Sequence, residues 1–336
     1  MKLALLALVT VGLYQSVCFA DSKWNKPSDH YTGFVKIRAD RELYVDWQKA
    51  KEYQPTVVLI NGLTYSTKQW DRFAAELSKY GVGILRYDPI GMGQTLLHYA
   101  PIMNVIPVKE QAEDLQSLLA TLQVPKPYNL LGLSYGGGLA MVFCQQYAES
   151  VGRLILIAPY TEPLPQQDQW IKAQIANIRQ TEPWNKTSDD DLYDYFLRNL
   201  IYATYPAAEP IVSENPFKLE GIFRMVQGIR KWSAPEAFKS FPPASVHLLV
   251  AGADQYIQRP VLLNFWMSTP EAARASFILI QNSEHKIPEA TPRFSAAWVN
   301  EILQGDQKLT QGQVFDGDPA TGLVKYKGGS FTLPKE

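Results

Sequence analysis

Tyr128-Asn129-Leu130-Leu131-Gly132-Leu133-Ser134-Tyr135-Gly136-Gly137-Gly138-Leu139-Ala140-Met141-Val142 passes from a short apolar strand pattern, through Gly-x-Ser-x-Gly, into the small-residue start of a helix. The pentapeptide alone is weak evidence, because three fixed positions in five recur by chance. Its context gives it force. A serine on a tight turn that closes a strand and opens a helix has its hydroxyl pushed out at the carboxyl edge of a sheet. The helix N-terminus adds positive potential near any oxyanion that develops there. The glycines let the helix pack close without a clash at the turn. The competing reading is a glycine-rich turn with an ordinary serine.

Outward from this stretch, residues 34–37 and 43–47 read as two strands around an Asp40-Arg41 turn. Residues 56–60, 82–87, 128–133 and 154–158 are short, continuous apolar runs, the mark of strands buried on both faces of a parallel sheet. Helical patterns lie between them at 69–79, 107–122 and 134–147. Strand and helix in alternation predict an α/β fold with crossover helices. The alternation stops at Pro159. From Thr161 to about Pro243 the pattern is helical and rich in aromatics, among them Trp170, Trp184, Tyr193, Phe223 and Trp232. It resumes with strands at 246–250 and 277–280 and a helix from about Thr291 to Leu303. The middle segment is therefore an insertion. For residues 310–336, a small hairpin and a loose tail both remain open.

The chain has 336 residues, 46% apolar and 12% aromatic, enough for one large α/β domain with an inserted subdomain or for two small domains. A net charge of −1 and the lack of any dense Lys/Arg run argue against a nucleic-acid partner. The first twenty residues have the layout of a cleavable signal peptide: Lys2, an apolar stretch at 3–13, then Cys18-Phe19-Ala20 before Asp21. The apolar run is short for a membrane span. The expectation is a secreted or periplasmic protein with no stable membrane span after leader removal. An uncleaved anchor, or lipidation at Cys18, are the alternatives, although Gln15-Ser16-Val17 lacks the leucine and small residues of a lipoprotein signal. Without the leader, Cys144 stands alone, so no disulfide can form within the mature chain and a buried, inert thiol is expected. Asn185-Lys186-Thr187 fits a glycosylation sequon.

With Ser134 in this setting, the sequence resembles the α/β-hydrolase family over roughly residues 31–304. Two further stretches carry the resemblance. Leu59-Ile60-Asn61-Gly62-Leu63 stands where the family has its oxyanion loop, with asparagine where histidine is common. Arg86-Tyr87-Asp88-Pro89-Ile90-Gly91-Met92-Gly93 is similar to the family's D-x-x-G-x-G turn, in which Asp88 reads as structural. The resemblance implies a mostly parallel eight-stranded sheet flanked by helices, with the insertion forming a helical cap. It divides the chain into a signal peptide (1–20), the first part of the core (21–160), the cap (161–243), the second part of the core (244–304) and a C-terminal extension (305–336). By position, the oxyanion donors would be the backbone N–H groups of Leu63 and Tyr135. The aromatics of the insertion suit either an apolar acyl pocket or the cap's own core.

The base must be a histidine that can take the serine proton near neutral pH. His30 precedes the first strand, His98 falls in the long loop after Gly93, and His247 lies inside an apolar strand. His285 directly follows the last strand, which is the family's position for the catalytic histidine. The acid should follow an earlier strand and lie between serine and histidine in chain order. Asp254, after Val250-Ala251-Gly252-Ala253, meets both conditions. Its alternative roles are to cap the next helix, alone or in addition. Glu284 is the rival acid. The expected activity is hydrolysis of a carboxylic ester, of small to medium acyl chain or monoacylglycerol-like, through an acyl-enzyme on Ser134. The expected partner is a small-molecule ester or lipid, with no metal or organic cofactor required. A proline-releasing aminopeptidase or an acyltransferase could use the same three residues, and a catalytically silent binding protein is the rival from another class.

Overall fold

The structure, a computed structural model, describes residues 29–204, 215–305, 309 and 312–336. The expected leader lies outside these residues. Two strands open the chain, β1 (His30–Arg38) and β2 (Arg41–Gln48), paired antiparallel. The six parallel strands that follow are β3 (Thr56–Ile60), β4 (Gly83–Asp88), β5 (Tyr128–Leu133), β6 (Val151–Ile157), β7 (Val246–Ala251) and β8 (Arg274–Ile280). In space the order is β1-β2-β4-β3-β5-β6-β7-β8. The order reverses at β3, so the chain builds the sheet first toward one edge and then toward the other.

Helices cover both faces: α1 (Asp71–Ser78), α2 (Gly93–Tyr99), α3 (Val108–Thr121) and α4 (Tyr135–Tyr147) in the first half. After the insertion come α8 (Arg259–Ser268), the single turn α9 (Ile287–Ala290) and α10 (Pro292–Gln304). The continuous apolar runs are explained by these two layers. Alternate residues point to opposite faces, so Val58, Leu130 and Leu156 join one core with α3 and α4. Val57, Leu131 and Ile157 join the other, with α1 and α10.

Among the described residues between β6 and β7, the inserted helices are α5 (Pro165–Thr181), α6 (Asp189–Thr204) and α7 (Lys218–Ile229). They have a small core of their own, from Ile171, Leu192, Leu197, Leu219, Ile222 and Phe223. Trp170 and Trp184 stand on the surface of the insertion instead, Trp184 being 71% exposed.

Two stretches differ from the expectation. His98 lies not on a loop but on α2, where its ring meets Phe34 and Tyr99, each with centroids 4.8 Å apart. The C-terminal extension is neither a loose tail nor a lone hairpin. It adds β9 (Gln313–Asp318), parallel to β8, then β10 (Leu323–Tyr326) and β11 (Gly329–Thr332), both antiparallel, and so extends the eight expected strands to eleven. Phe315, Val324 and Phe331 face Trp298 and its neighbours in the second core, and this burial holds the extension in place.

Candidate active site

Ser134 sits at the junction of β5 and α4 with φ 53° and ψ −117°, a left-handed conformation that a residue with a side chain rarely adopts. The surroundings enforce it. A Cβ on Gly132 would meet the Gly136 carbonyl oxygen at 2.3 Å, and one on Gly136 would meet that of Ile60 at 2.2 Å. Only glycine permits so close an approach of strand and helix. The Ser134 N–H donates to the Ile157 carbonyl (2.9 Å), and the Ser134 carbonyl accepts from Tyr160 N–H (2.8 Å), which ties the turn to β6.

The loop after β3 lies alongside. Asn61, in the position where histidine is common, is fully buried and satisfied. Its amide donates to the Tyr87 carbonyl (3.0 Å) and to Oδ1 of Asp88 (3.1 Å), and its oxygen accepts from the Trp70 indole (2.7 Å). It therefore locks the Gly62-Leu63 loop to the end of β4 and leaves backbone donors for other partners. Among the described residues, neither the Leu63 nor the Tyr135 N–H donates to any group. Asp88 also accepts from the N–H groups of Thr67 and Gln94, as the structural reading required. Burial pushes its pKa up to about 6 against the pull of those donors.

Asp254 and His285 come from the loops after β7 and β8, which are neighbours in the sheet, and meet across thirty-one positions of chain. Nδ1 of His285 lies 2.7 Å from Oδ2 of Asp254. Oδ1 of the same carboxylate accepts the N–H groups of Tyr256 (2.8 Å) and Ile257 (2.9 Å). One oxygen thus holds the turn and the other the ring. Burial would raise the Asp254 pKa, but the hydrogen bond and charge of His285, with the two backbone donors, together outweigh it and hold the carboxyl below its ordinary value. The carboxylate can only accept, so Nδ1 donates the hydrogen bond, and in the neutral form of the ring Nε2 is the nitrogen left with a lone pair. Glu284 is exposed and does not compete for the ring.

Ser134, Leu63, Tyr135 and His285 line one cavity of about 530 Å³, a size suited to a small ligand. The insertion roofs it with Leu164, Ile171, Leu197, Ile201, Ile222 and Ile229, and also brings Gln167, Asp168, Lys218 and Arg230 to its wall. Among the described residues no hydrogen bond joins the Ser134 hydroxyl to the His285 ring; Asp254 is the ring's hydrogen-bond partner. Such contacts are commonly loose before substrate binds. The other histidines are elsewhere: His30 on Asp46 (3.0 Å), His98 on α2, and His247 inside β7. Cys144 is buried, its thiol pushed up to about 12, first by burial and then by the charge of Glu149. The sequence did not single out Tyr65, Gln69 and Tyr256 as cavity residues, though they line the wall. Tyr65 and Tyr256 lie on loops and Gln69 on a single 3₁₀ turn, Thr67–Trp70, too short for periodicity to mark a side chain's direction, and only nearness in the chain to Leu63 and Asp254 could have suggested them. No cluster of metal-ligating side chains is found among the described residues.

A parallel sheet with a strained serine at its carboxyl edge, an acid–histidine pair on the neighbouring loops and a roofed cavity defines an α/β hydrolase. The family described as serine aminopeptidase, S33, matches residues 51–289, and the chain belongs to it. Among solved structures, the chain is similar to an α/β-hydrolase enzyme from a Medee basin deep-sea metagenome library, with a TM-score of 0.59 and 20% identity over 82% of this chain and 98% of that one. It is also similar to a thermophilic esterase from Thermogutta terrifontis (0.57, 17%, 82% and 98%) and to an esterase from Exiguobacterium antarcticum (0.56, 16%, 82% and 100%). At these identities the likeness speaks to the fold. Uncharacterized proteins of Mycobacterium tuberculosis and Mycobacterium bovis are 30% identical over 104 residues, which is 31% of this chain and 29% of theirs.

Proposed function

We propose that the protein hydrolyses carboxylic esters through an acyl-enzyme on Ser134. The observation that carries this reading is the 2.7 Å Asp254–His285 pair opening on the same cavity as the strained Ser134. In the first half-reaction, a bond forms between Ser134 Oγ and the ester carbonyl carbon while the hydroxyl proton passes to Nε2 of His285. The carbonyl oxygen takes up negative charge between the Leu63 and Tyr135 N–H groups, each such donor typically contributing about 10²–10³ in rate. The bond to the alcohol oxygen then breaks as Nε2 returns the proton to it. Water attacks the acyl carbon in the same way, its proton again passing through Nε2, and Ser134 leaves with that proton. Asp254 holds the imidazole in the required tautomer and stabilises its charged form.

The aliphatic part of the lining, Leu164, Ile171, Leu197, Ile201, Ile222 and Ile229, supports a small to medium acyl chain. The family description, serine aminopeptidase, supports a second reading as an aminopeptidase, which the same residues could perform, with N-terminal proline as the residue to test first. The test is labelling with a fluorophosphonate probe together with turnover of p-nitrophenyl butanoate and of a proline amide. Labelling of the wild type but not of Ser134→Ala, with the ester preferred over the amide, is expected. Labelling of neither would favour a silent binding protein, and preference for the amide would favour the peptidase. The leader reading of residues 1–20 belongs to the same proposal. It places the protein outside the cytoplasm, and N-terminal sequencing of exported protein should begin at Asp21; a start at Met1 would remove it.

A further inference from the structure

We propose that Gln111 is a positioning residue for the acyl transfer: through its hydrogen bond to the Tyr135 hydroxyl it holds the Tyr135 backbone N–H where the substrate's carbonyl oxygen gathers charge. The inference rests on the acyl-enzyme reading above and adds a buried residue of α3 on which the oxyanion site depends.

Tyr135 opens α4, so its N–H has no acceptor within the helix. That N–H shares a planar peptide unit with the Ser134 carbonyl. The carbonyl accepts from the N–H groups of Tyr160 (2.8 Å) and Gly137 (2.9 Å), which sets the orientation of the unit. Orientation alone does not fix its place, because the start of a helix can still shift as a body. The Tyr135 side chain supplies the second hold. Its ring is buried in the core shared with α3, and Nε2 of Gln111 donates to its hydroxyl at 2.6 Å. Burial raises the phenol's pKa against the pull of this donor, so the hydroxyl stays neutral.

Gln111 is itself held. It lies on the first turn of α3, and its Nε2 is 3.5 Å from the Ile106 carbonyl oxygen, within reach of a second, longer hydrogen bond. Ile106 is clamped in turn by α7 of the insertion. Its N–H donates to the Arg224 carbonyl (3.2 Å), and a Cβ on Gly228 would meet its carbonyl oxygen at 1.9 Å. The amide therefore ties the start of α4 to a segment fixed by the insertion. Two apolar side chains at these places could slide past each other, since dispersion has no direction. A hydrogen bond between two buried groups fixes the far end of the ring at one distance and angle. The other end of the same residue carries the oxyanion donor, so what holds the ring also holds that N–H against Ser134.

The experiment measures kcat and KM for p-nitrophenyl butanoate, or for the proline amide if the wild type prefers it, in the wild type, Gln111→Met, Tyr135→Phe and the double variant. Inhibition by butyl trifluoromethyl ketone is measured alongside. This ketone reports on the oxyanion site: Ser134 Oγ bonds to its carbonyl carbon, the hydroxyl proton passes to His285, and the ketone oxygen becomes the anion. Met keeps the length of Gln111 without a donor, and Phe keeps the ring and backbone N–H of Tyr135 without the hydroxyl. Each single variant should lower kcat roughly 10-fold, less than the about 10²–10³ of losing the donor outright. KM should stay within about two-fold, because only the transition state carries the charge. The inhibition constant of the ketone should rise by the same factor as kcat falls. The double variant should lose no more than either single one, since all three remove one contact. Its unfolding temperature should recover toward the wild-type value, since neither partner of the bond is left behind, while kcat stays low; a purely structural role would restore the two together and overturn the proposal. Wild-type kcat in Tyr135→Phe, losses that multiply in the double variant, or a rise in KM in place of the fall in kcat would each overturn it as well, leaving the acyl-enzyme reading intact. Should Gln111→Met fail to fold, Tyr135→Phe reads the same contact from its other end. A wild type that turns over neither substrate would overturn both readings together.

Discussion

His247 and His285 each have Nδ1 within hydrogen-bond distance of a side-chain oxygen, at 2.8 Å from Ser276 and 2.7 Å from Asp254, yet the two sites are built for opposite ends. His247 lies within β7, 4% exposed, its partner in the middle of β8. Burial, helped by the charge of Arg153, brings its pKa down to about 3, so it stays neutral and serves the core. His285 lies a few residues past the end of β8, at the wall of a cavity, with an ionised acid behind it. The same ring thus becomes a packing group or, in the proposed mechanism, a proton carrier according to whether the chain presents it between strands or beyond them. In parallel sheets the carboxyl ends of the strands are where loops can converge without breaking the backbone ladder.

The largest break in this comparison should come from His285→Ala, which is expected to lower ester turnover on the order of 10⁵–10⁶-fold. His247→Gln should leave turnover within a few-fold at pH 8. Initial rates on p-nitrophenyl butanoate decide it, and near-wild-type activity in His285→Ala would remove that residue from the proposed mechanism. Asp254→Asn should follow, with a loss on the order of 10³–10⁴-fold, because an amide can hold the ring in the wrong tautomer. An unchanged rate there would turn attention to Glu284.

The core histidine should show itself in stability instead. Its folded pKa of about 3 lies below the ordinary 6.5, so the unfolded chain binds the extra proton between those values. Its contribution is fully present above pH 6.5 and is lost as pH falls toward 3, amounting to a few kcal/mol. The depressed Asp254 carboxyl acts with the same sign at the acid end of this range. Urea unfolding of wild type and His247→Gln at pH 7 and pH 4.5 should show a smaller acid loss in the variant; parallel losses would refute the assignment. The smallest effect should come from Ser276→Ala, which strips the buried ring of its partner at a cost of roughly 1–3 kcal/mol, with turnover retained. A wild-type unfolding midpoint would mean that the bond contributes nothing.

How much was legible in the chain follows the range of the forces involved. The Ser134 turn is local, and its glycines, strand and helix are contiguous, so Gly132 to Gly136 announced it. The parallel strands showed as apolar runs because burial on both faces leaves no polar alternation. The extension at 313–332 was ambiguous because short, mixed strands acquire order only from the edge they pair with, here β8. His98 was misplaced because α2 is only seven residues long and buries only Thr95 and Leu96, too little for a helical period to emerge. Tyr65 carried no mark, since a place on a cavity wall is a property of surroundings and not of spacing.

By itself, the order of residues determined the class of fold, the strained serine turn and the chain positions of the proposed acid and base, because these depend on local turn chemistry and on two-residue periodicity. Tertiary structure alone decided that Asp254 and His285 pair, that the C-terminal residues complete the sheet, and which polar groups face the cavity. Those outcomes depend on distances between segments remote in the chain, and only packing sets such distances.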